Sequence, residues 1–312
     1  MASSKSASPS EGRRWTVSLA LPGSIVDNSQ TDELKTYLAG QVARALTIFN
    51  IDEVVIFKTE TLPKSKRSDG AVFLARLLQY LDCPQYLRKN IFPMHPDLRF
   101  VGLVNPLDAT NHPRKNEDCQ YREGVVTSTK RAGPFGSNSS WVHVGLYKEV
   151  QIDQDIPEGT RVTVKLAAPS SKGAAATVVS PSEPREEKGL HWGYTVRVAE
   201  SLPAVWSDCP FEGGYDISIG TSDKGQSEWL ESSQNFPTFS HLLIVFGGVE
   251  GLEPNVESEP CLARFGAEAG DLFDMYLNLC PTQGSRTIRT EEALLIGLAS
   301  LQPRILHAMN SC

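Results

Sequence analysis

Residues 277–293, LNLCPTQGSRTIRTEEA, predict a short strand, a turn at the proline and glycine, a polar loop and the start of a helix. Thr290 is the predicted N-cap, because two glutamates follow it in the first turn, where the helix dipole favours negative charge. Residues 293–301 are apolar nearly all round, which predicts a buried helix. A loop that carries Arg286 and Arg289 between two buried elements needs a charged partner.

The first part of the chain has the pattern of an α/β domain. Trp15–Leu21 and Glu53–Phe57 are apolar runs, and Asp32–Asn50 between them repeats apolar residues at helical spacing. Strand, helix and strand in this order predict a βαβ unit, with parallel strands and a right-handed crossover. A basic loop, Lys58–Gly70, and a leucine-rich helix that breaks near Pro84 follow.

A β-rich segment interrupts this α/β pattern. Between residues 98 and 179, short alternating runs are separated by Gly, Pro, Asn and Asp clusters, which predicts a small β-barrel such as an OB-fold, with a small sandwich as the alternative. The α/β pattern returns afterwards, so we expect the β-rich segment to be inserted into one α/β domain. The predicted strands are 100–104, 123–128, 141–146, 161–166 and 175–180.

These boundaries give a predicted domain organisation. Residues 1–12 are Ser-rich and polar without the apolar core of a signal peptide, so we expect a disordered tail. The α/β domain is predicted to comprise residues 13–93 and 186–312, and the inserted domain residues 94–185. No apolar run approaches the roughly 18 residues that a membrane-spanning helix needs.

Charge and cysteine usage limit the classes of function. The net charge is −7, but residues 1–148 carry 19 basic and 14 acidic residues, so a phosphate-bearing partner would prefer the first half. The six cysteines are scattered singly and the six histidines show no metal-ligand spacing. We therefore predict no metal site, no disulfide framework and an intracellular, reducing compartment.

Glycine-bearing segments follow three predicted strands. They are Gly220-Thr221, Gly247-Gly248 with Gly251, and residues 280–285. Ligands of open parallel sheets bind beyond the carboxyl ends of the strands, and glycine allows the backbone to approach them closely. The alternative is that these glycines only serve turns. Residues 247–251, GGVEG, do not match GxGxxG, and no P-loop, GxSxG or HExxH motif occurs.

Several motifs together resemble the SPOUT superfamily of S-adenosylmethionine-dependent RNA methyltransferases. Within it, the chain is similar to a eukaryotic branch that also carries a centromere-protein name. The segments with the resemblance are SRTIRTEEA (285–293), VFGG (245–248), IGT (219–221), SLALPGS (18–24), CPQYLRK (83–89), NPLD (105–108), REG (122–124) and GYTVR (193–197).

The resemblance implies a fold, a cofactor and partners. It implies an α/β domain with a parallel sheet and a C-terminal trefoil knot, an OB-like insertion and a homodimer built around the knot. The implied cofactor is S-adenosyl-L-methionine, with S-adenosyl-L-homocysteine as product, and the implied substrate is RNA. Centromere, kinetochore or mitotic spindle association, and a nuclear or cytoplasmic location, are implied by the resemblance alone.

The family's three cofactor loops correspond to the three glycine-bearing strand ends. This correspondence implies cofactor contacts at Gly220, Thr221, Phe246, Gly247, Gly248, Gly251, Asn278, Leu279, Cys280, Ser285, Ile288 and Thr290.

Arg286 and Arg289 are the candidate catalytic residues, because guanidinium groups bind phosphates and base edges, and the family often uses an arginine near the cofactor. A salt bridge to Glu291, Glu292 or Glu250 is the alternative. Asp223 and Glu250 are possible general bases, although an acidic residue after a glycine turn often only caps a backbone.

The inserted domain is a candidate RNA platform. Basic residues supply charge and an aromatic residue supplies stacking, the two contributions that single-stranded nucleic acids need. The alternative is that the tryptophan is core and the basic residues are only solvated. The candidate RNA-binding residues are Arg114, Lys115, Arg122, Lys130, Arg131 and Trp141.

Three functional hypotheses follow. The first is an active RNA methyltransferase that uses S-adenosylmethionine. The second is an RNA-binding or scaffold protein of the same fold with weak or lost catalysis and a centromere or spindle role, because no obvious base is present. A nicotinamide-dependent oxidoreductase is disfavoured because the GxGxxG motif is missing.

Overall fold

A computed structural model describes most of the chain. The described residues are 12–59, 69–128, 132–136, 139–167, 175–227, 236–263 and 268–310. Residues 1–11 of the predicted tail therefore lie outside the described residues. So do residues 60–68 of the basic loop and the candidate RNA-binding residues Lys130 and Arg131.

The described residues form two compact units. One, the barrel unit, comprises residues 12–14, 80–95 and 108–193. The other, the sheet unit, comprises the described residues of 15–79, 96–107 and 194–310. Most of the barrel unit thus lies, in sequence, within the sheet unit. Residues 80–93, which the sequence assigned to the α/β domain, group with the barrel, and residues 96–107 group with the sheet.

The sheet unit contains a six-stranded sheet in the order β11-β9-β10-β1-β2-β8, with every neighbouring pair parallel. Its strands are β1 (Thr16–Pro22), β2 (Glu53–Phe57), β8 (Thr195–Ala199), β9 (Ile217–Gln226), β10 (His241–Phe246) and β11 (Met275–Leu277). The predicted parallel βαβ unit is confirmed, since β1 and β2 pair in parallel and flank a helix.

Burial explains why the central strands are apolar without alternation. Every residue of β1 and β2 is buried, and β10 is buried from Leu242 onward. A parallel sheet covered on both faces needs such continuous apolar strands. One face packs on a cluster that includes Val55, Phe57, Val245 and Phe273.

The α-helices of the described residues range in length from 4 to 21 residues. Thr31 caps α1, since its hydroxyl accepts the backbone N–H of Leu34 at 3.3 Å. The helices are α1 (Asp32–Ile48), α2 (Gly70–Asp82), α3 (Arg88–Ile91), α4 (Glu183–Lys188), α5 (Ala204–Ser207), α6 (Glu253–Glu257), α7 (Pro260–Ala263) and α8 (Thr290–Asn310).

The last helix, α8, is not buried all round, so this prediction is wrong for the isolated chain. Leu294, Leu298 and Leu301 are buried, whereas Leu295 and Leu306 are each 40% exposed. The exposed leucines lie 11 residues apart, about three helical turns, and therefore share one face. Both leucines on this face are therefore partly open to solvent in the described chain.

The barrel unit contains a closed five-stranded barrel in the order β3-β4-β5-β7-β6, with β6 also paired to β3. The prediction of a barrel rather than a sandwich is confirmed. Apolar residues including Val126, Val142 and Val164 fill it. The strands are β3 (Tyr121–Ser128), β4 (Trp141–His143), β5 (Val150–Ile152), β6 (Arg161–Leu166) and β7 (Ala175–Val179).

Two short elements differ from the sequence prediction. The predicted strand 100–104 is a 3-10 turn at Val101–Leu103, in which Leu103 is exposed. Conversely, β5 (Val150–Ile152) was not predicted, because its three residues give too little alternation to detect. It is a strand because it pairs with both β4 and β7.

Gly23, in the motif SLALPGS, packs directly on helix α2. A Cβ at this position would lie 2.5–2.7 Å from Ala71 Cβ, Cα and N. We predict that Gly23→Ser lowers the free energy of unfolding by about 1–3 kcal/mol, because the helix backbone must move. Urea denaturation measures this change. Gly102→Ser is the control, since no atom lies within 4 Å of its Cβ position; equal midpoints for the two variants would contradict the packing argument.

His191 gives the barrel unit a predicted sensitivity to acid. Its ring is buried and neither nitrogen forms a hydrogen bond with any described residue; this burial lowers the pKa of His191 from 6.5 to about 4. Between these values the unfolded chain binds a proton that the folded chain does not, so stability falls as the pH drops from 6.5 towards 4. The loss from this group is about 2.5 kcal/mol at pH 4.5.

The variant His191→Leu tests this expectation. It removes the titrating group and leaves an apolar side chain at a buried position. We expect its free energy of unfolding to fall by about 2.5 kcal/mol less than that of the wild type between pH 7 and pH 4.5. Urea denaturation at both pH values measures the difference. Parallel pH dependences in the two proteins would contradict it.

Candidate active site

The three glycine-bearing segments lie side by side because their strands are neighbours. β9 is paired to β11 on one side and to β10 on the other, with Thr221 opposite Phe246. On the β11 side, Tyr276 pairs with Gly220 but the next residue pairs with Gln226. Residues 221–225 therefore bulge out of this ladder, although β9 itself continues through the Gly220-Thr221 segment that was predicted to follow the strand.

Side chains tie the three segments together. The Thr221 hydroxyl donates to Val245 O at 3.1 Å, and the Asn278 amide donates to Asp223 O at 2.8 Å. The buried Thr290 hydroxyl donates to Gly247 O at 3.0 Å. Each bond joins one segment to another, so the three segments form one site.

Thr290 has a different local role from the one predicted. The helix begins at Thr290 itself, and its hydroxyl is directed to the Gly247 segment rather than to an amide of its own first turn. Instead, the Glu292 carboxylate accepts the backbone N–H of Arg289 at 3.0 Å. Glu292 thus satisfies the free backbone donor at the start of α8.

Gly247 lies against the far end of its own loop. A Cβ on Gly247 would lie 2.2 Å from the Gly251 carbonyl carbon and 2.6 Å from the backbone nitrogen of Leu252. Gly248 and Gly251 exchange two backbone hydrogen bonds, of 3.1 and 3.2 Å. Gly251 also has a φ of +85°, a backbone conformation that residues with a side chain rarely adopt. Glycine is required here by geometry.

These segments surround a pocket of about 330 Å³, a size typical of small-molecule sites. Phe246, Leu279, Ile288 and other apolar residues line part of it, and glycines and polar or charged residues of the three segments line the rest. The lining residues are Thr221, Ser222, Asp223, Lys224, Phe246, Gly247, Gly248, Val249, Glu250, Gly251, Leu277, Asn278, Leu279, Cys280, Gln283, Arg286, Thr287, Ile288, Thr290, Ala293 and Ile296.

Most of the candidate cofactor residues line this pocket, and two do not. Gly220 packs under the Phe273 ring, which would lie 2.4 Å from a Cβ on this residue. The Ser285 hydroxyl donates to Thr287 O at 2.8 Å within its own turn. Ser222, Gln283 and other lining residues were missed because they lie between predicted positions without a motif of their own.

Charged side chains border the pocket. Asp223, Glu250, Lys224 and Arg286 line it and are exposed, whereas Arg289 is exposed but does not line it. Neither arginine forms an ion pair within 4.0 Å with any residue that the structure describes. The salt bridge considered as an alternative for them is therefore not observed.

A partly buried carboxylate, Glu253, contacts residues that line the pocket. Glu253 Oε1 accepts the Ser222 hydroxyl and the Tyr276 hydroxyl, each at 2.9 Å, and lies 3.6 Å from Lys224 Nζ. Burial would raise the pKa of Glu253, but hydrogen bonds from its own backbone amide, Ser222 and Tyr276 outweigh this and lower it. No motif in the sequence indicates this network, because Ser222, Glu253 and Tyr276 are far apart in the chain.

Two candidate RNA-binding residues, Arg122 and Trp141, are buried, which corrects the prediction that their side chains contact RNA. Arg122 is 0% exposed and Trp141 is 8% exposed. Trp141 lies beneath Gly133, where a Cβ would come within 2.6 Å of its ring. Arg114 and Lys115 are exposed in the same unit.

The described residues contain no group of three or more His, Cys, Asp or Glu side chains arranged to hold a metal ion. Among the same residues, no helix is both long and apolar enough to cross a membrane.

Comparison with known proteins identifies the family. A family model described as "Putative RNA methyltransferase" matches residues 16–301, which span both units. The chain belongs to this family. It is thus an RNA methyltransferase by family, and the pocket described above is its candidate active site.

Three relatives of this RNA methyltransferase share one description, 28S rRNA (uridine-N(3))-methyltransferase. The human protein is 49% identical over 95% of this chain and 80% of its own length. The mouse protein is 50% identical over 94% of this chain and 77% of its own length. The Drosophila melanogaster protein is 45% identical over 93% of this chain and 62% of its own length.

Proposed function

We propose that the chain transfers a methyl group from S-adenosylmethionine to N3 of a uridine in large-subunit ribosomal RNA. The observation that carries this proposal is the pocket built by three mutually hydrogen-bonded loops. The relatives named as 28S rRNA uridine-N3 methyltransferases support the substrate.

The pocket has the chemistry that an adenosine-containing cofactor requires. Phe246, Leu279 and Ile288 offer an apolar surface to a base, and the backbone of residues 247–251 and 278–280 offers hydrogen-bonding groups. The bound cofactor would supply the electrophilic methyl group.

N3 of uridine carries a proton that must leave before or during methyl transfer. Asp223 and Glu250 are carboxylates at the pocket border that can accept it. Arg286 lies at the same border, where a guanidinium can bind a phosphate or a base oxygen. We propose that one of these carboxylates accepts the N3 proton and that Arg286 orients the substrate.

Transfer of labelled methyl groups to ribosomal RNA tests the proposal. The product site is found by reverse transcription, because a methyl group on N3 blocks base pairing. We expect Arg286→Ala to lower kcat by about 100-fold, as for loss of one charge-stabilising donor. Arg289→Ala is the matched comparison in the same loop, with a smaller expected effect. Wild-type protein that binds the cofactor but labels no uridine N3 would overturn the proposal.

We further propose that the barrel is OB-like, that the chain forms a C-terminal knot, and that the protein is a homodimer. The strand order, with β5 and β7 as the one parallel pair among its five pairs, supports an OB-like barrel. The chain leaves β11 at one edge of the sheet yet returns to Gly247 through Thr290, which supports the knot.

Exposed apolar residues on two adjoining helices support the homodimer. Leu295 and Leu306 on α8 are each 40% exposed, and Leu34 and Tyr37 on α1, which contacts α8, are 53% and 51% exposed. A second copy would cover this surface. The double variant Leu295→Glu with Leu306→Glu should be a monomer in analytical ultracentrifugation.

Centromere, kinetochore or spindle partners and a nuclear or cytoplasmic location stay predictions of the resemblance.

A further inference from the structure

The barrel unit presents one large aromatic ring almost fully to solvent. Tyr147, in the loop between β4 and β5, is 80% exposed, and Lys115 Nζ lies 3.4 Å from the centre of its ring. An ammonium group at this distance is a cation–π contact, which orders the ring while leaving its other face open. The pocket of the sheet unit involves neither residue.

A buried arginine holds the two segments that carry this pair. Arg122 donates through Nη2 to Arg114 O at 2.7 Å and to Glu117 O at 3.0 Å, and these carbonyls flank Lys115. Through Nη1 it donates to Val144 O at 3.4 Å, three residues before Tyr147. The side chain that the sequence suggested for RNA contact therefore joins both segments from inside the barrel.

The Tyr147 loop is also fixed at its start. Gly145 has a φ of +75° and packs on the Tyr86 ring, which would lie 2.7 Å from a Cβ there. The Tyr86 hydroxyl in turn donates to Glu123 O at 3.0 Å. The buried Val144 and Val150 bound the loop on both sides. An exposed ring on a loop so firmly held is presented to a ligand at little cost in entropy.

We propose that Tyr147 and Lys115 form a stacking platform for an unpaired base of the RNA substrate. The base stacks on the open face of the Tyr147 ring, and the Lys115 ammonium faces the adjoining phosphate. The exposed basic residues of these two segments, Arg114, Lys115 and Lys148, outnumber the exposed acidic residues, Glu117 and Asp118, and this balance favours a phosphate-bearing ligand. This inference rests on the proposed function, because it takes RNA to be the substrate.

Binding of a fluorescent single-stranded oligouridylate of about 12 nucleotides, a length within the range that OB-folds bind, tests the platform without cofactor or catalysis. We expect Tyr147→Ala to weaken binding by the full chain about 10-fold, within the range for loss of one base stack. Tyr147→Phe, which keeps the ring, should bind within about 2-fold of the wild type on the same grounds. Because the ring is exposed, thermal midpoints should be unchanged.

Lysine variants test the charge. Lys115→Gln should weaken binding and lower the slope of log affinity against log salt by about 0.7, as for one lost phosphate contact on a single strand. Lys89→Gln, which removes an exposed lysine of the same unit, is the control with wild-type behaviour expected.

Several outcomes would overturn the platform: no binding of the oligomer by wild type, wild-type affinity in Tyr147→Ala, or equal weakening in the phenylalanine variant. Equal weakening for single-stranded and duplex RNA would also overturn it, since a paired base cannot stack on the ring. Labelled-methyl transfer is measured separately. If oligomer binding depends on Tyr147 but the wild type transfers no methyl group, the proposed function is refuted and the platform is not. If the wild type transfers methyl groups but oligomer binding does not depend on Tyr147, the platform is refuted and the proposed function is not.

Discussion

Gly247→Ala is expected to weaken S-adenosylmethionine binding by about 100-fold, while the sheet stays folded. A methyl group on Gly247 would lie 2.2 Å from the carbonyl carbon of Gly251, so the two ends of the loop must separate. Such overpacking costs about 1–3 kcal/mol, and about 2.7 kcal/mol corresponds to 100-fold in affinity. The loop would then move away from the Thr290 hydroxyl that ties it to α8.

Calorimetric titration with S-adenosylmethionine and S-adenosylhomocysteine measures this loss. Gly284→Ala is the matched control, because Gly284 lies in a neighbouring turn with nothing within 4 Å of its Cβ position and does not line the pocket. It should bind like the wild type. Near-ultraviolet circular dichroism checks the fold. Affinity within about 3-fold of wild type in Gly247→Ala, less than 1 kcal/mol, would exclude this loop from cofactor binding.

Glu53→Leu is expected to lower the free energy of unfolding by about 3–5 kcal/mol. Glu53 is buried at the start of β2, where Oε1 accepts Arg197 Nε at 3.1 Å and Oε2 accepts the Tyr215 hydroxyl at 2.6 Å. Arg197 also donates to Val205 O at 2.9 Å, so its guanidinium cannot easily turn to solvent. Removing the carboxylate leaves a largely buried positive charge unpaired.

A control is available at the other end of the same two strands. Lys58 follows β2 and pairs at 2.8 Å with Glu200, which follows β8 and is exposed. Lys58→Ala should change stability by no more than about 1 kcal/mol, since exposed ion pairs contribute little. The double variant Glu53→Leu with Arg197→Met should recover part of the loss. Equal urea midpoints for Glu53→Leu and Lys58→Ala would contradict the expectation.

Most of the sheet was predictable because burial on both faces leaves a continuous apolar signal. β2 has its predicted bounds, and α1 begins at its predicted residue, Asp32. The barrel was predicted as a class from its alternation, yet β5 was missed and residues 100–104 were wrongly assigned. Short elements depend on pairing partners, which alternation over three to five residues does not reveal.

For the site, the sequence determined which segments approach one another. Glycine-bearing segments after parallel strands must meet at one edge of the sheet, and they do. It could not determine which residues of each segment face the pocket. Gly220 and Ser285 face away, and Arg286 lines the pocket while Arg289 does not.

The sequence by itself determined the parallel βαβ unit, the presence of a small barrel and the three glycine-bearing loops, because these follow from local patterning and glycine content. Only the tertiary structure decided the role of single polar side chains. Arg122 is basic and lies beside a glycine, which suggested RNA contact, but the barrel buries it and directs it to backbone carbonyls. The charged loop at 277–293 likewise acquires its partners, Asp223 O and Gly247 O, from strands that are distant in sequence. Burial and long-range hydrogen bonds are properties of the packed chain, which no local pattern encodes.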